Sequence, residues 1–248
     1  MKNLFLFLFL LVVFTSKAQD NRVSGLNSRQ FTKYWKVESE SPDYKVTFQG
    51  DTAEIVSPKG LTLWRKEKMS GKVTIEYDAC VVVESDGDRL SDLNCFWMAS
   101  DPQYPDNLWK REKWRSGIFL NCYSLQLYYL GYGGNHNSTT RFRRYDGDES
   151  GITNPKARPA ILKEYTDAGH LLKPNHWYHI KITNENNRVS YYIDGERLVD
   201  FRDAEPLREG WFGFRTTLSR TRITNFSYEC SSQEATAVPL QWIGETPR

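Results

Sequence analysis

The chain has 248 residues, with 33 lysines and arginines against 31 aspartates and glutamates, for a formal net charge of +2. That near balance supplies no general attraction to nucleic acid or other polyanions, and the length suits one large β domain or two small ones. Aromatic residues make up 14% of the chain, including eight tryptophans and fourteen tyrosines. Rings in that number either fill a β-sheet core or line a sugar cleft.

The chain begins with Lys2, an apolar run over Leu4–Phe14, and the small residues of Ser16-Lys17-Ala18. This pattern predicts a secretory signal peptide over residues 1–18, cut after Ala18 and too short to span a bilayer. No cysteine stands directly after the cut, which argues against a lipid anchor. The expected product is an exported protein, periplasmic or secreted, with no membrane partner. Residues 19–230 are then the folded domain, and residues 231–248 a polar tail in which Trp242 is the one residue suited to docking.

Strand-like segments recur along the domain. They are predicted over Tyr44–Phe48, Ala53–Val56, Leu61–Trp64, Lys72–Val83, Asn94–Ala99, Gly117–Leu120 and Leu125–Leu130. After a gap come Trp177–Asn184, Arg188–Ile193, Glu196–Phe201, Gly210–Arg215 and Thr221–Glu229. Turn residues separate them at Ser57-Pro58-Lys59-Gly60, Asp86-Gly87-Asp88, Asn184–Asn187 and Asp194-Gly195. Asp-Gly between two strand runs is a strong hairpin signal. Many short strands with such punctuation predict an antiparallel sandwich or barrel, with less than about a tenth helix. Two spans look irregular, Ser100–Ser116 and Tyr132–Pro174. Long loops in a compact β domain usually carry function.

Those spans flank the stretch Gly117–Gly147, where chemistry-bearing residues concentrate. Its second half holds Gly131, Gly133, Gly134 and His136, then Arg141, Arg143, Arg144 and Tyr145. Arg141 and Arg143 share a face on an extended strand, and Arg144 points the other way. Glycines beside an imidazole and guanidinium groups suit an anionic ligand held next to an acid or base. The four cysteines, Cys80, Cys95, Cys122 and Cys230, have long irregular spacings and no C-x-x-C pair. A zinc cluster is unsupported, and both disulfides and buried thiols remain open. No metal or other cofactor is called for, although a structural calcium would leave no readable signal.

The C-terminal third reads His176-Trp177-Tyr178-His179-Ile180-Lys181-Ile182, then Tyr191-Tyr192-Ile193-Asp194-Gly195-Glu196, then Gly210-Trp211-Phe212-Gly213-Phe214-Arg215. These segments resemble the closing strands of concanavalin A-like jelly rolls of bacterial glycan-utilisation systems, including the keto-disaccharide hydrolase family. The resemblance implies an all-β antiparallel sandwich with long loops around a concave cleft. The whole mature chain also resembles a smaller exported family that includes an oligosaccharide dehydratase of an ulvan-degradation locus. That resemblance implies action on a uronate-containing oligosaccharide.

The chemistry then assigns candidates. Elimination across C4–C5 of a uronate needs the carboxylate neutralised, a base for the C5 proton, and an acid for the departing oxygen. His136 is the expected base, Arg143 the carboxylate partner, and Tyr132 and Tyr145 the candidate acids. Arg141, Arg144, Trp97, Asn121, Tyr123 and Tyr128 are the expected substrate contacts. If water departs, the enzyme is a dehydratase, the favoured outcome; if a sugar departs, it is a polysaccharide lyase. Glycoside hydrolysis by two carboxylates and non-catalytic sugar binding are the competing readings. The sequence leaves the oligomeric state open.

Overall fold

Alternation of apolar and polar side chains accounts for most of the described chain, because period-2 patterning can bury one face of a strand. The computed structural model describes residues 22–231; the expected signal peptide and the tail beyond Ser231 lie outside the described residues. Fourteen strands occur within them: β1 Val23–Ser24, β2 Trp35–Ser39, β3 Lys45–Gln49, β4 Thr52–Arg65, β5 Met69–Ser70, β6 Lys72–Val81 and β7 Leu93–Ser100. They continue with β8 Gln126–Gly133, β9 Thr139–Asp146, β10 Lys163–Tyr165, β11 Tyr178–Glu185, β12 Arg188–Ile193, β13 Glu196–Arg202 and β14 Glu209–Ser231.

Two of these are long enough to serve both layers of a sandwich. β14 pairs with β7 over Trp211–Arg215 and with β6 from Thr221 onward, while β4 runs alongside it from Gly213 to Ile223. The first layer is therefore β10-β9-β8-β7-β14-β4-β2, and the second is β13-β12-β11-β6-β14-β4-β3. The breaks predicted in both long strands do not occur. The register between β4 and β14 shifts between Thr217 and Ser219, beside Pro58 and Lys59. Proline has no N–H for a ladder and is tolerated at such a bulge. Leu218 takes a φ of +49° there, so the strands bend rather than end.

The main core lies between the layers. Trp97, Tyr128, Leu130 and Phe142 of the first meet Ile75, Tyr77, Ile180 and Tyr191 of the second. A second core lies on the outer face of the first layer, where Trp64, Phe96, Leu127, Tyr129, Tyr145 and Trp211 pack under Leu108, Cys122, Tyr123 and Leu125. The covering segment is fixed by buried charges. Arg115, with no exposure, donates to Glu38 at 3.0 Å and to the Leu108 carbonyl at 2.6 Å. Arg111 grips Asp101 with two donors at 2.7 and 2.9 Å and also pairs with Glu149. Burial raises the Glu38 carboxyl above its ordinary value, and the Arg115 charge opposes the rise.

Several predicted elements differ. Gly117–Leu120 is not a strand; the chain turns there into a short 3-10 helix, Leu120–Ser124. Its apolar residues face the second core, and a short apolar run cannot be assigned by periodicity alone. The span Tyr132–Pro174 is not one loop, since it contains β9 and β10. The short strand β2 has no counterpart among the predicted segments. Helical turns make up 15% of the structure, more than the tenth expected, all in pieces of three to five residues. The Asp194-Gly195 hairpin joins β12 to β13 as predicted.

Candidate functional site

On β8 and β9, alternate residues leave the main core and face outward. Register places Tyr129 opposite Arg143 and Gly131 opposite Arg141. Asn94 of β7 sits between Gly131 and Arg215 of β14. These side chains line a cleft of ≈ 370 Å³ where the covering segment leaves the first layer bare, with Tyr123, Asp92 and His136 at its walls. A volume of this order accommodates a small ligand or the end of a chain.

Tyr129 forms the floor. A Cβ at position 131 would lie 2.2 Å from the Tyr129 hydroxyl, so only glycine lets the phenol occupy that space. The Tyr129 hydroxyl makes no hydrogen bond with another described residue. Burial pushes its pKa upward, the Asp92 charge pushes it further, and the charges of Arg215 and Arg143 oppose the shift. The phenol therefore holds its proton at neutral pH.

Four arginines reach the cleft, against the two carboxylates Glu40 and Asp92 on its lining. Arg215, buried, donates to the Gly117 carbonyl at 2.6 Å and lies 5.6 Å from the Phe119 ring centre. Arg143 donates to the Pro159 carbonyl. Arg141 donates to Glu164 at 2.5 Å, and Arg89 to Asp92 at 2.6 Å. A guanidinium carries five N–H donors, so these anchors leave donors to spare.

His136 sits in a corner of unusual backbone. Gly133, Asn135, His136 and Asn137 have φ between +52° and +65°, a left-handed region that costs about 1–2 kcal/mol for most L-residues. Neighbours impose it. Asn137 accepts from the Leu172 N–H at 2.8 Å and donates to the Leu172 carbonyl at 2.9 Å, while Asn135 donates to Thr139 Oγ1 at 3.2 Å. The imidazole itself is exposed and makes no hydrogen bond with a described residue. Strain held by surrounding contacts around an unengaged titratable group marks a candidate functional position.

Of the residues expected from sequence, His136, Arg141, Arg143 and Tyr123 do meet in the cleft. The others do not. Trp97, Tyr128 and Tyr132 point inward, because on β7 and β8 they belong to the opposite alternation from Asn94, Tyr129 and Gly131. The Tyr128 hydroxyl donates to Asp203 at 2.6 Å, and Tyr132 packs edge-on against Tyr178. Arg144 also faces away and pairs with Asp203 at 2.7 Å and with Asp146. Tyr145 is on the correct face but fully buried under Tyr123 and Tyr129, at 5.2 and 5.8 Å between ring centres. Asn121 fastens the covering segment by donating to the Trp114 carbonyl at 2.9 Å. Sequence reasoning missed Tyr129, Asn94, Arg89 and Arg215. The signal for Arg215 was a charge inside an otherwise apolar strand.

Other chemistry is less well placed. All four cysteines are unpaired thiols, and burial pushes Cys95 up to about 12 and Cys122 up to about 11, which keeps both from serving as thiolates. His170, His176 and His179 lie away from the cleft beside carboxylates, His179 at 2.7 Å from Asp78. No group of three or more His, Cys, Asp or Glu gathers into a metal-binding cluster among the described residues.

The architecture is that of an antiparallel, galectin-like and concanavalin A-like β-sandwich, with a polar cleft on one outer face. It resembles a Bacillus subtilis protein of unknown function with a galectin-like fold, at 15% identity and TM-score 0.67, covering 86% of this chain and 96% of that one. It also resembles the Bacillus subtilis carbohydrate-binding module CBM66 at 17% identity and TM-score 0.51, covering 79% and 94%. The carbohydrate recognition domain of Emp47p matches at 14% identity and TM-score 0.53, covering 86% and 96%. At these identities the likeness concerns the fold. A family model described as a domain of unknown function, DUF6250, matches residues 55–226, and the chain belongs to that family. None of the curated proteins matches the chain.

Proposed function

We propose that the cleft binds the acidic end of a uronate-containing oligosaccharide and catalyses β-elimination there. One observation carries the reading. Two proton carriers that hydrogen-bond to no other described residue, His136 and Tyr129, line the same cleft as Arg143 and Arg215. The arginines neutralise the uronate carboxylate and so acidify the proton on C5. His136 takes that proton as base. The released electron pair forms the C4–C5 double bond, and the C4–O bond breaks. Tyr129, kept protonated by burial, gives its proton to the departing oxygen. The imidazolium and the phenolate then exchange protons with solvent, and the site is reset.

A cleft of this size, closed on one side by the covering segment, suits a chain end better than a chain middle. Loss of water from a terminal uronate is therefore the favoured outcome, and chain cleavage the alternative. An exported protein fits a polymeric or oligomeric glycan outside the cell. The test is incubation with uronate oligosaccharides. The ultraviolet absorbance of a conjugated 4,5-unsaturated uronate should rise, and mass spectrometry should find a product lighter by one water with its residue count unchanged. Turnover without that absorbance would remove elimination from consideration.

The second reading is recognition without catalysis. It is favoured by the fold shared with carbohydrate-binding domains. Binding of uronate oligosaccharides with no product at any time would select it. Hydrolysis by two carboxylates is less well served. Asp92 is already held by donors from Arg89, Ser91 and Asn94, which leaves Glu40 without an evident partner acid.

A further inference from the structure

Two residues that line the cleft each carry a buried polar atom that no described residue satisfies, Arg89 Nε and Asn94 Oδ1. Both side chains are fixed on one carboxylate. Arg89 Nη1 donates to Asp92 Oδ2 at 2.6 Å, and Asn94 Nδ2 donates to Asp92 Oδ1 at 3.2 Å. Ser91 Oγ adds a donor to Oδ2 at 2.9 Å. Asp92 and Asn94 are 8% and 6% exposed. An ionised carboxylate only accepts, so the Asn94 amide nitrogen must face Asp92, which leaves its oxygen as the group without a donor. Register puts Asn94 directly beside Arg215.

One unmatched atom is a donor and the other an acceptor. A hydroxyl is the group that could serve both, accepting from Arg89 Nε and donating to Asn94 Oδ1. A carboxylate or sulfate oxygen has no hydrogen to offer and would face the Asn94 oxygen as a second acceptor. We propose that Arg89 Nε and Asn94 Oδ1, oriented by Asp92, form a hydroxyl-reading subsite beside the anion clamp of Arg143 and Arg215. The ligand it selects is a sugar carrying both a carboxylate and a free hydroxyl, in preference to a sulfate ester or a simple carboxylate. This proposal rests on the acidic-sugar reading and specifies which further feature of the sugar is recognised.

The test is calorimetric titration of the whole protein with three probes: methyl glucuronoside, methyl glucoside, and cyclohexanecarboxylate, which has the charge but no hydroxyl. Wild type should prefer the glucuronoside to both others. Asn94→Ala should weaken glucuronoside binding about tenfold and leave cyclohexanecarboxylate unchanged within about twofold. Arg89→Lys, which keeps a cation facing Asp92 but removes Nε, should act in the same direction. Thermal unfolding of each variant shows whether it is folded, and either variant alone suffices. Equal weakening of both carboxylates, or no weakening of the glucuronoside, overturns the subsite while leaving the anion clamp in place. Wild type that binds the glucoside as well as the glucuronoside, or binds neither, overturns the acidic-sugar reading and the subsite with it.

Discussion

On the outer face of the second layer, Glu54 accepts from Arg220 and Arg222, and Glu84 accepts from the same two arginines. Nearby, Arg188 pairs with Asp200 and His179 with Asp78. On the outer face of the first layer, Arg141 and Arg89 are also paired, with Glu164 and Asp92, but the other two cleft arginines are anchored differently. Arg143 and Arg215 donate to backbone carbonyls, which fix their direction without cancelling their charge. The two faces carry similar residue types. What sets Arg143 and Arg215 apart is that no carboxylate among the described residues pairs with them. Mutual pairing at a surface contributes little stability and leaves nothing for a ligand. A guanidinium held by carbonyls is oriented and still electrostatically unspent.

The largest effect should come from removing a proton carrier in the first-layer cleft. Tyr129→Phe deletes one oxygen that no described residue needs, so the fold should persist while turnover falls by about 10²–10⁴. His136→Ala should do the same, since its ring is exposed and makes no hydrogen bond with a described residue. Tyr128→Phe, one residue away on β8, provides the contrast. It should leave the rate of unsaturated-product formation within about twofold and instead lower the unfolding temperature, because its hydroxyl is spent on Asp203. Near-normal activity in folded Tyr129→Phe would make the phenol a packing group.

An intermediate effect is expected from the arginines. Arg143→Ala should weaken binding of a uronate oligosaccharide by about ten- to a hundredfold, the loss of one charge-assisted contact. Arg143→Lys should recover little, because an ammonium lacks the planar fork. Arg220→Ala on the opposite face should leave that affinity unchanged. Equal losses from Arg143→Ala and Arg220→Ala, read by titration at one ionic strength, would reduce the difference between the faces to long-range charge.

Much of this was legible in the chain, for identifiable reasons. The β12–β13 hairpin was announced by Asp194-Gly195, and the common face of Arg141 and Arg143 by simple alternation. Alternation failed on β8 because that strand is buried on both sides, by the main core and by the covering segment. A strand apolar on both faces does not show which face is which, so Tyr128 and Tyr132 were chosen and Tyr129 between them was passed over. Asn94, Arg89 and Arg215 were missed for another reason. Asn94 joins the site through the pairing of β7 with both β8 and β14, Arg215 through β14, and Arg89 from the segment just before β7, and local sequence does not give that register. The bend in β4 was hidden because a proline at a bulge looks the same in sequence as a proline that ends a strand.

The smallest effect on the cleft should come from the inward side of its layer, where Asp203 shows what a fully spent carboxylate does. It is 5% exposed and accepts from Tyr128 at 2.6 Å, Arg144 at 2.7 Å and the Glu205 N–H at 2.9 Å. Burial alone would raise its pKa, but hydrogen bonds from Tyr128, Glu205 and Arg144, together with the Arg144 charge, hold it below the ordinary 3.8. A carboxyl with a lowered folded-state pKa contributes stability that is fully present above the unfolded value and is lost as pH falls through the folded one. Asp203→Asn should therefore cost about 1–3 kcal/mol at neutral pH. The gap between variant and wild type should narrow as pH drops below about 4. Uronate affinity at neutral pH should not change, because these contacts face away from the cleft. Denaturant unfolding at neutral and acid pH reads the first effect, and titration with the oligosaccharide reads the second. A gap that stays constant with pH would mean that Asp203 acts through its shape and not its charge.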